Sequence, residues 1–384
     1  MAEMTARERV LSALNHQEPD RVPVALGGGP YGVVDALYFK LLQRFDLGDP
    51  VAPFRKGHNI SYMDDRLFAK LGIDTRYVWP GASPSSPSTE TNDPDTFLDG
   101  FGQPWKRALP YFYADKGVLE TATSVDDIDR LLKWPVTTDP RWVKGVRERA
   151  QMLHDETNYF VAARMVLSHG LYQLACDFRG TEQFMIDLIE NEVFAKTLIG
   201  RIADTIDGLV KAYMEAGGKY FNLIELPGDD YAGNTNLVMS PAMIRKYFKP
   251  EYARIIRTIK SYNPDIKVMF HSDGMIKKLL PELIDIGVDV VHPLEPLPAM
   301  NIPEIKAEFG QKISFLGGID ISHALPGSLE DVENEAKLRI QQLAPGGGYI
   351  LAPANHIQAD VPAENVVRLF ETARKYGQYP IKVD

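Results

Sequence analysis

The apolar residues of this chain fall in short runs that end abruptly in polar clusters. The clearest run is KVMFHSDG at Lys267–Gly274, where mostly apolar residues predict a buried strand that stops at His271 and Asp273. A helix is predicted directly afterwards, from about Met275 to Ile286. Parallel strands of an α/β barrel have this form, because their interior is apolar and their C-terminal ends carry the chemistry.

Runs of this kind recur along the chain, and each is followed by a helical pattern. We predict eight strands on this basis, near Val22, Tyr77, Val161, Asn222, Met269, Val290, Ser314 and Ile350. Strand–helix alternation predicts a parallel α/β fold, and eight units favour a (β/α)8 TIM barrel over an open doubly wound sheet. No GxGxxG motif follows the first strand, so a dinucleotide-binding fold loses support.

Two segments fall outside the strand–helix repeat. At the N-terminus, Thr5–Asn15 predicts an extra helix, with Thr5 and Glu8 spaced as a capping box. A Pro- and Ser-rich loop at Gly81–Thr96 precedes the aromatic stretch Gly102–Glu120, which we interpret as a β-hairpin insertion. We expect the insertion to act as a lid, as a homodimer contact or as surface decoration.

Composition and charge exclude several classes of protein. The 384 residues are 45% hydrophobic and carry a net charge of −10, without a dominant basic patch, which argues against a nucleic-acid partner. The sequence has one cysteine, no apolar run near 20 residues and no signal-peptide pattern at its start. These features predict a soluble cytoplasmic protein without disulfide bonds and without a membrane segment.

Ionisable side chains are concentrated at the predicted strand ends. In a barrel these ends converge on one mouth, so the sequence predicts one cavity that contains them. They are His169, Glu225, Asp229, Asp230, His271, Asp273, His292, Glu295, Asp320 and His356. Each also has a purely structural interpretation: Asp229 as a turn residue, for example, or His292 as a donor to a backbone carbonyl.

Histidines and carboxylates at one mouth are the ligands of a mixed nitrogen and oxygen zinc site. His271 and Asp273 are two residues apart, so on an extended chain they point to the same side. Cys176 lies in a helical stretch, which excludes a thiolate zinc site at the strand ends.

Five motifs in this order resemble the uroporphyrinogen decarboxylase superfamily. They are GDDYAG at 228–233, MFHSDG at 269–274, GVDVVHPLEP at 287–296, LGGID at 316–320 and GGGYILAPANHIQADVPAENV at 346–366. The resemblance implies a single barrel domain over residues 1–384, with the insertion at about 80–120. It also implies enzymatic activity of one of two kinds.

The first kind of activity is the cofactor-free decarboxylation of a tetrapyrrole. Decarboxylases of the superfamily carry an arginine-rich motif after the first strand, where this sequence has ALGGGPYG at 25–32. The second kind is corrinoid-linked methyl transfer, which uses a zinc site of the form His-x-Cys with a late cysteine. Here His271-x-Asp273 is similar to the first part, and Asn355-His356 falls near the late position.

We favour the methyltransferase-like branch, with a small methylated substrate, a zinc ion and a corrinoid carried by a partner protein. The resemblance and the strand ends together suggest Glu225, His271, Asp273 and His356 as metal ligands. We assign catalysis to Asp230, His271 and His356. Substrate binding is assigned to Gly28, His169, Asp229, Tyr231, His292 and Asn355. Decarboxylation and a non-catalytic ligand-binding barrel remain as alternatives.

Overall fold

The computed structural model describes residues 3–51, 53–54, 59–86, 88–93, 95–108, 111–114 and 116–382. Seven parallel strands form one curled sheet in the order β1-β6-β7-β8-β9-β10-β11, and four short strands form an antiparallel sheet in the order β2-β3-β4-β5. The strands are β1 (Thr75–Val78), β2 (Thr89–Glu90), β3 (Thr96–Leu98), β4 (Pro104–Ala108), β5 (Tyr111–Ala114), β6 (Phe160–Ala163), β7 (Leu223–Glu225), β8 (Lys267–His271), β9 (Val290–His292), β10 (Ser314–Ile319) and β11 (Tyr349–Pro353).

Helices follow the strands of the parallel sheet and cover its outer face. They are α1 (Ala6–Leu14), α2 (Asp35–Arg44), α3 (Asp65–Leu71), α4 (Asp126–Leu131), α5 (Val146–Glu156), α6 (Leu171–Arg179), α7 (Thr181–Glu190), α8 (Glu192–Gly217), α9 (Pro241–Tyr247), α10 (Lys249–Tyr262), α11 (Leu280–Asp285), α12 (Ile302–Phe309), α13 (Leu329–Leu343) and α14 (Ala363–Tyr376). Short 3₁₀ helices occupy Pro140–Val143, Gly218–Tyr220 and Ile276–Lys278. The TIM-barrel-like fold is therefore confirmed, and the predicted capping box of α1 is present. Among the described residues, no helix combines the length and the apolarity that crossing a membrane requires.

The prediction of a regular strand near Val22 is wrong, because the segment forms only isolated bridges. Val24 forms an isolated parallel bridge with Leu351 of β11, and the Val24 carbonyl accepts a hydrogen bond from the N–H of Asp74, just before β1. The segment therefore occupies the eighth position between β11 and β1. Pro23 has no N–H to donate to a ladder, which explains why the pairing with β11 does not extend beyond the two hydrogen bonds at Leu351.

Buried ion pairs fix this segment at the N-terminal end of β1. Arg9 bonds Asp20 at 2.7 Å and Asp74 at 2.8 Å, and Arg21 bonds Asp74 at 2.8 Å. The second oxygen of Asp74 accepts the N–H of Val24 at 2.9 Å. Helix α1 and the start of β1 are thus connected through Asp74, a carboxylate that is itself almost fully buried.

The insertion is larger than the predicted hairpin, because four antiparallel strands pair between Thr89 and Ala114. Asp99 organises the turn between β3 and β4. It is 2% exposed and accepts hydrogen bonds from the N–H groups of Phe101 and Gln103 and from Nε1 of Trp105. One buried carboxylate therefore fixes the position of the aromatic strand β4.

Candidate active site

A cavity of about 890 Å³ opens at the C-terminal ends of the parallel strands. Of the residues that we predicted from the strand ends, His169, Asp230, His271, Asp273, Asn355 and His356 line it. The opposite wall comes from the insertion, which contributes Phe97, Trp105, Tyr111, Phe112 and Tyr113. The tertiary structure therefore combines a polar floor from the barrel with an aromatic cover.

Contacts between the cover and the floor are specific. The Gln358 side chain donates a hydrogen bond to the Tyr111 hydroxyl at 2.7 Å, and the Trp105 ring lies 5.7 Å from the ring of His169. Of the three roles expected for the insertion, its position matches that of a lid over the barrel mouth.

Three side chains at the floor present their oxygen and nitrogen atoms to one point. Nε2 of His271 lies 3.7 Å from Oδ1 of Asp230 and 3.7 Å from Oδ1 of Asp273, and all three ligand atoms lie within 4.8 Å of one another. Donors of a tetrahedral zinc ion are roughly 3.4 Å apart, because each bond is close to 2.1 Å. Small side-chain rotations would therefore bring this cluster, Asp230–His271–Asp273, to coordination distance.

The tautomer of His271 is set by a relay of hydrogen bonds through His292. His292 is fully buried, and its Nε2 lies 3.2 Å from the carbonyl oxygen of Pro353, which can only accept. Burial and the neighbouring His271 hold the pKa of His292 well below its usual range, so the ring is neutral and its Nδ1 is an acceptor. Nδ1 of His271, at 2.9 Å, must then donate. The lone pair of a neutral His271 is consequently on Nε2, facing Asp230 and Asp273.

Asp273 is held by one oxygen and leaves the other oxygen unbonded. Oδ2 accepts a hydrogen bond from Asn355 at 2.6 Å, whereas the buried Oδ1 has no hydrogen-bond partner within the described parts of the chain. Burial, together with the charges of Asp230 and Glu295, raises the pKa of Asp273 to about 6 against the effect of His271. An orphaned buried oxygen beside a free imidazole lone pair fits a divalent cation.

His356 lies on the cavity wall, outside the cluster that the described residues form. Its Nδ1 accepts the N–H of Gly32 at 3.2 Å, so the neutral ring carries its proton on Nε2. Coordination through either nitrogen would cost that bond or that proton, which argues against the predicted role of metal ligand.

Glu225 is the second predicted ligand that does not join the cluster. It is 1% exposed, and its oxygens accept hydrogen bonds from the N–H of Gly29 and the hydroxyl of Tyr31, both at 2.8 Å. Burial raises the pKa of Glu225, partly offset by the charge of Arg164. Asp230, which we predicted only as a catalytic residue, lies in the cluster instead.

Four predicted substrate contacts have a structural role instead, because they are buried behind the cavity wall. Asp229 is fully buried and accepts four hydrogen bonds, two from the first turn of α6 and two from the hydroxyls of Tyr231 and Tyr252. Tyr231 is thereby directed away from the cavity, and both nitrogens of His292 are used in the relay. Gly28 packs against the ring of Tyr31, and its neighbours Gly29 and Pro30 line the wall.

His169 has a partner that the sequence analysis missed. Its Nδ1 lies 2.6 Å from Oδ2 of Asp177, eight residues along the chain. Gln173 and Asp177 are four apart on α6 and share one of its faces, while His169 precedes the helix, and all three line the cavity. That spacing is visible in the sequence, but Asp177 lies inside a helix and not at a strand end.

The sequence model of the uroporphyrinogen decarboxylase (URO-D) family matches residues 114–376. Uroporphyrinogen decarboxylase of Crocosphaera subtropica is 25% identical over 185 residues, which are 47% of this chain and 48% of that protein. The enzyme of Nostoc punctiforme is 22% identical over 213 residues, 54% of this chain and 56% of that protein. The chain thus spans about half the length of the curated relatives it matches.

Among solved structures, a methyltransferase from Methanosarcina mazei superposes on 97% of this chain and 99% of its own, with a TM-score of 0.62 and 20% identity. At that identity the likeness concerns the fold alone. The fold, the strand-end motifs and the match over most of the chain lead to one assignment: this protein belongs to the uroporphyrinogen decarboxylase family.

Proposed function

We propose that this protein is a metal-assisted methyltransferase, which moves a methyl group between a small methylated substrate and a corrinoid carried by a partner protein. The observation that carries the proposal is the convergence of one imidazole lone pair and two carboxylates at the cavity floor. The corrinoid partner rests on the resemblance of the strand-end motifs to the methyltransferase branch.

The metal ligands in this proposal are His271, Asp230 and Asp273. Three protein ligands leave a fourth position open for substrate, as in catalytic zinc sites. A zinc ion bound there would withdraw charge from the oxygen or nitrogen that carries the methyl group and so make it a better leaving group. Asn355 would hold Asp273 in place, and His356 would contact the substrate from the cavity wall.

Decarboxylation of a tetrapyrrole is supported by the curated relatives, but it needs a basic cavity to hold many carboxylates. Among the described residues, Arg164 is the only arginine or lysine that lines the cavity. Arg76 donates to the backbone carbonyls of Ile73 and Thr75, and Arg179 pairs with Asp187. Arg55 and Lys56 lie outside the described residues. The three carboxylates that line the cavity would repel a polyanion.

The test combines metal analysis with turnover. Protein purified without chelator is expected to contain about one zinc ion per chain, and His271→Gln to contain little. For turnover, the protein is mixed with reduced free cobalamin and one methyl donor: trimethylamine, methoxyacetate or 4-methoxybenzoate. The absorbance of the cobalamin then reports its methylation. Formation of methylcobalamin that EDTA abolishes and zinc restores supports the proposal. Release of CO₂ from uroporphyrinogen in the presence of EDTA would overturn it in favour of the decarboxylase.

A further inference from the structure

Arg164 is a buried cation at the cavity that the proposed metal chemistry does not use. It follows the last residue of β6, is 7% exposed and lines the cavity wall. Its position places a guanidinium at the same barrel mouth as His271 and Asp273. A charged side chain at this depth is rare unless it is paired.

The described residues give Arg164 little compensation for burial. Its Nη2 donates to the carbonyl of Gly29 at 3.2 Å, and its guanidinium carbon lies 5.1 Å from the centre of the Tyr62 ring. Within the described ranges Arg164 forms no ion pair. Glu225 acts on it through charge, and the Glu225 carboxylate accepts its hydrogen bonds from Gly29 and Tyr31.

A guanidinium has five N–H donors in a planar fork that matches the two oxygens of a carboxylate. The structure gives Arg164 one long hydrogen bond, to a backbone carbonyl, and places the residue on the cavity wall. Desolvating such a cation is costly unless an anion compensates for it. A negative group of a ligand at this wall would add to the compensation that Glu225 supplies.

We propose that Arg164 binds a carboxylate of the substrate, so that the substrate class is small methylated compounds with a single carboxylate. The carboxylate would lie against Arg164 and the methylated atom against the Asp230–His271–Asp273 cluster. A second or third carboxylate is disfavoured, because the wall also contains the carboxyl groups of Asp177, Asp230 and Asp273. The carboxylate part of this inference rests on the proposed function only in taking the cavity as the substrate site, whereas the methylated part rests on methyl transfer itself.

Binding of simple probes tests the inference without turnover. Benzoate, benzamide and benzamidine have nearly the same shape and differ in charge. Calorimetry in EDTA excludes coordination of benzoate to a metal. We expect the wild-type protein to bind benzoate at least about tenfold more tightly than benzamide, and benzamidine no better than benzamide. Arg164→Gln is expected to abolish the preference, and Arg164→Lys to retain part of it.

A matched control is Arg44→Gln, which removes the same charge from an exposed surface pair with Glu364 and should leave the preference unchanged. Equal binding of benzoate and benzamide by the wild-type protein would overturn the inference, as would an undiminished preference in Arg164→Gln. The wild-type comparison stands even if a variant fails to fold. The binding assay contains neither metal nor corrinoid. Its result therefore stays valid even if the protein does not transfer methyl groups in the turnover assay.

Discussion

The position of single protons decides what the residues of this site can do. His271 would be an ambiguous imidazole in isolation, yet the chain from Pro353 through His292 leaves its Nε2 lone pair facing two carboxylates. Loss of outer partners of this kind typically lowers metal affinity or activity by about 10- to 100-fold. The buried His292 therefore acts on the site through His271, as a positioning residue.

Replacing His292 with phenylalanine tests the relay. The variant keeps an aromatic ring beside Tyr31 but leaves Nδ1–H of His271 without its acceptor. We expect zinc affinity to fall about 10- to 100-fold, measured by competition with a chromophoric chelator. The control is His154→Gln, a surface histidine paired with Asp155, which should not change zinc affinity. Unaltered affinity in folded His292→Phe protein would contradict the relay.

The raised pKa of His169 leads us to expect that its contribution to stability depends on pH. Burial alone would lower its pKa, but the charge and hydrogen bond of Asp177 outweigh burial and raise it. A folded pKa above the unfolded value of about 6.5 means that the stabilisation is fully present below that pH and is lost as pH rises through the folded pKa. His169→Gln should therefore lower the free energy of unfolding more at about pH 5.5 than at about pH 9. Equal losses in urea unfolding at the two pH values would exclude a charged His169–Asp177 pair.

At the scale of elements, the antiparallel insertion determines how the barrel mouth is covered. Its strands β4 and β5 supply the aromatic wall, and their position depends on the turn around Asp99. A four-stranded sheet of this size has few apolar contacts of its own, so we infer that its order depends on this buried carboxylate and on contacts with the barrel.

Asp99→Ala removes the acceptor of three buried donors, each of which costs about 1–3 kcal/mol when left unsatisfied. We expect a loss of about 3 kcal/mol or more in the free energy of unfolding, with faster chymotrypsin cleavage between residues 96 and 114. Asp93→Ala, which changes an exposed turn carboxylate of the same insertion, should cost less than about 1 kcal/mol. Cleavage at the wild-type rate in Asp99→Ala would show that the sheet does not depend on this turn.

For the whole molecule, the decisive feature is closure of the barrel where the first predicted strand is irregular. Few backbone bonds cross the junction between β11 and β1, and the ion pairs of Arg9, Arg21 and Asp74 reinforce it. Stability of the barrel therefore depends on a buried charge network at the end opposite to the site.

Asp74→Asn leaves two mostly buried arginines without their shared carboxylate, so the free energy of unfolding should fall by about 3–5 kcal/mol. Zinc affinity measured well below the melting temperature should not change, because Asp74 precedes β1 and the cluster lies at the other strand ends. The surface pair of Asp129 and Arg201 provides the control, and Asp129→Asn should cost less than about 1 kcal/mol. A similar small cost in Asp74→Asn would mean that closure is provided by packing alone.

The sequence predicted the strands near Tyr77, Val161, Met269 and Ser314, because buried parallel strands have apolar runs that turns interrupt. It did not predict the irregularity at Pro23 or the four strands of the insertion. Those features depend on which backbone groups find partners across the barrel, and no local pattern records such partners.

The sequence by itself determined the order of strands and helices and the convergence of His271, Asp273 and Asp230 at one mouth, since strand ends of a barrel share a face. Only the tertiary structure decided which of the strand-end groups remain available to a ligand. Each side-chain oxygen of Glu225 and Asp229 and each ring nitrogen of His292 has a hydrogen-bond partner distant in the chain, whereas Oδ1 of Asp273 has no hydrogen-bond partner among the described residues. The physical reason is that burial and hydrogen bonding are properties of neighbours in space, and a linear pattern specifies those neighbours only for the elements themselves.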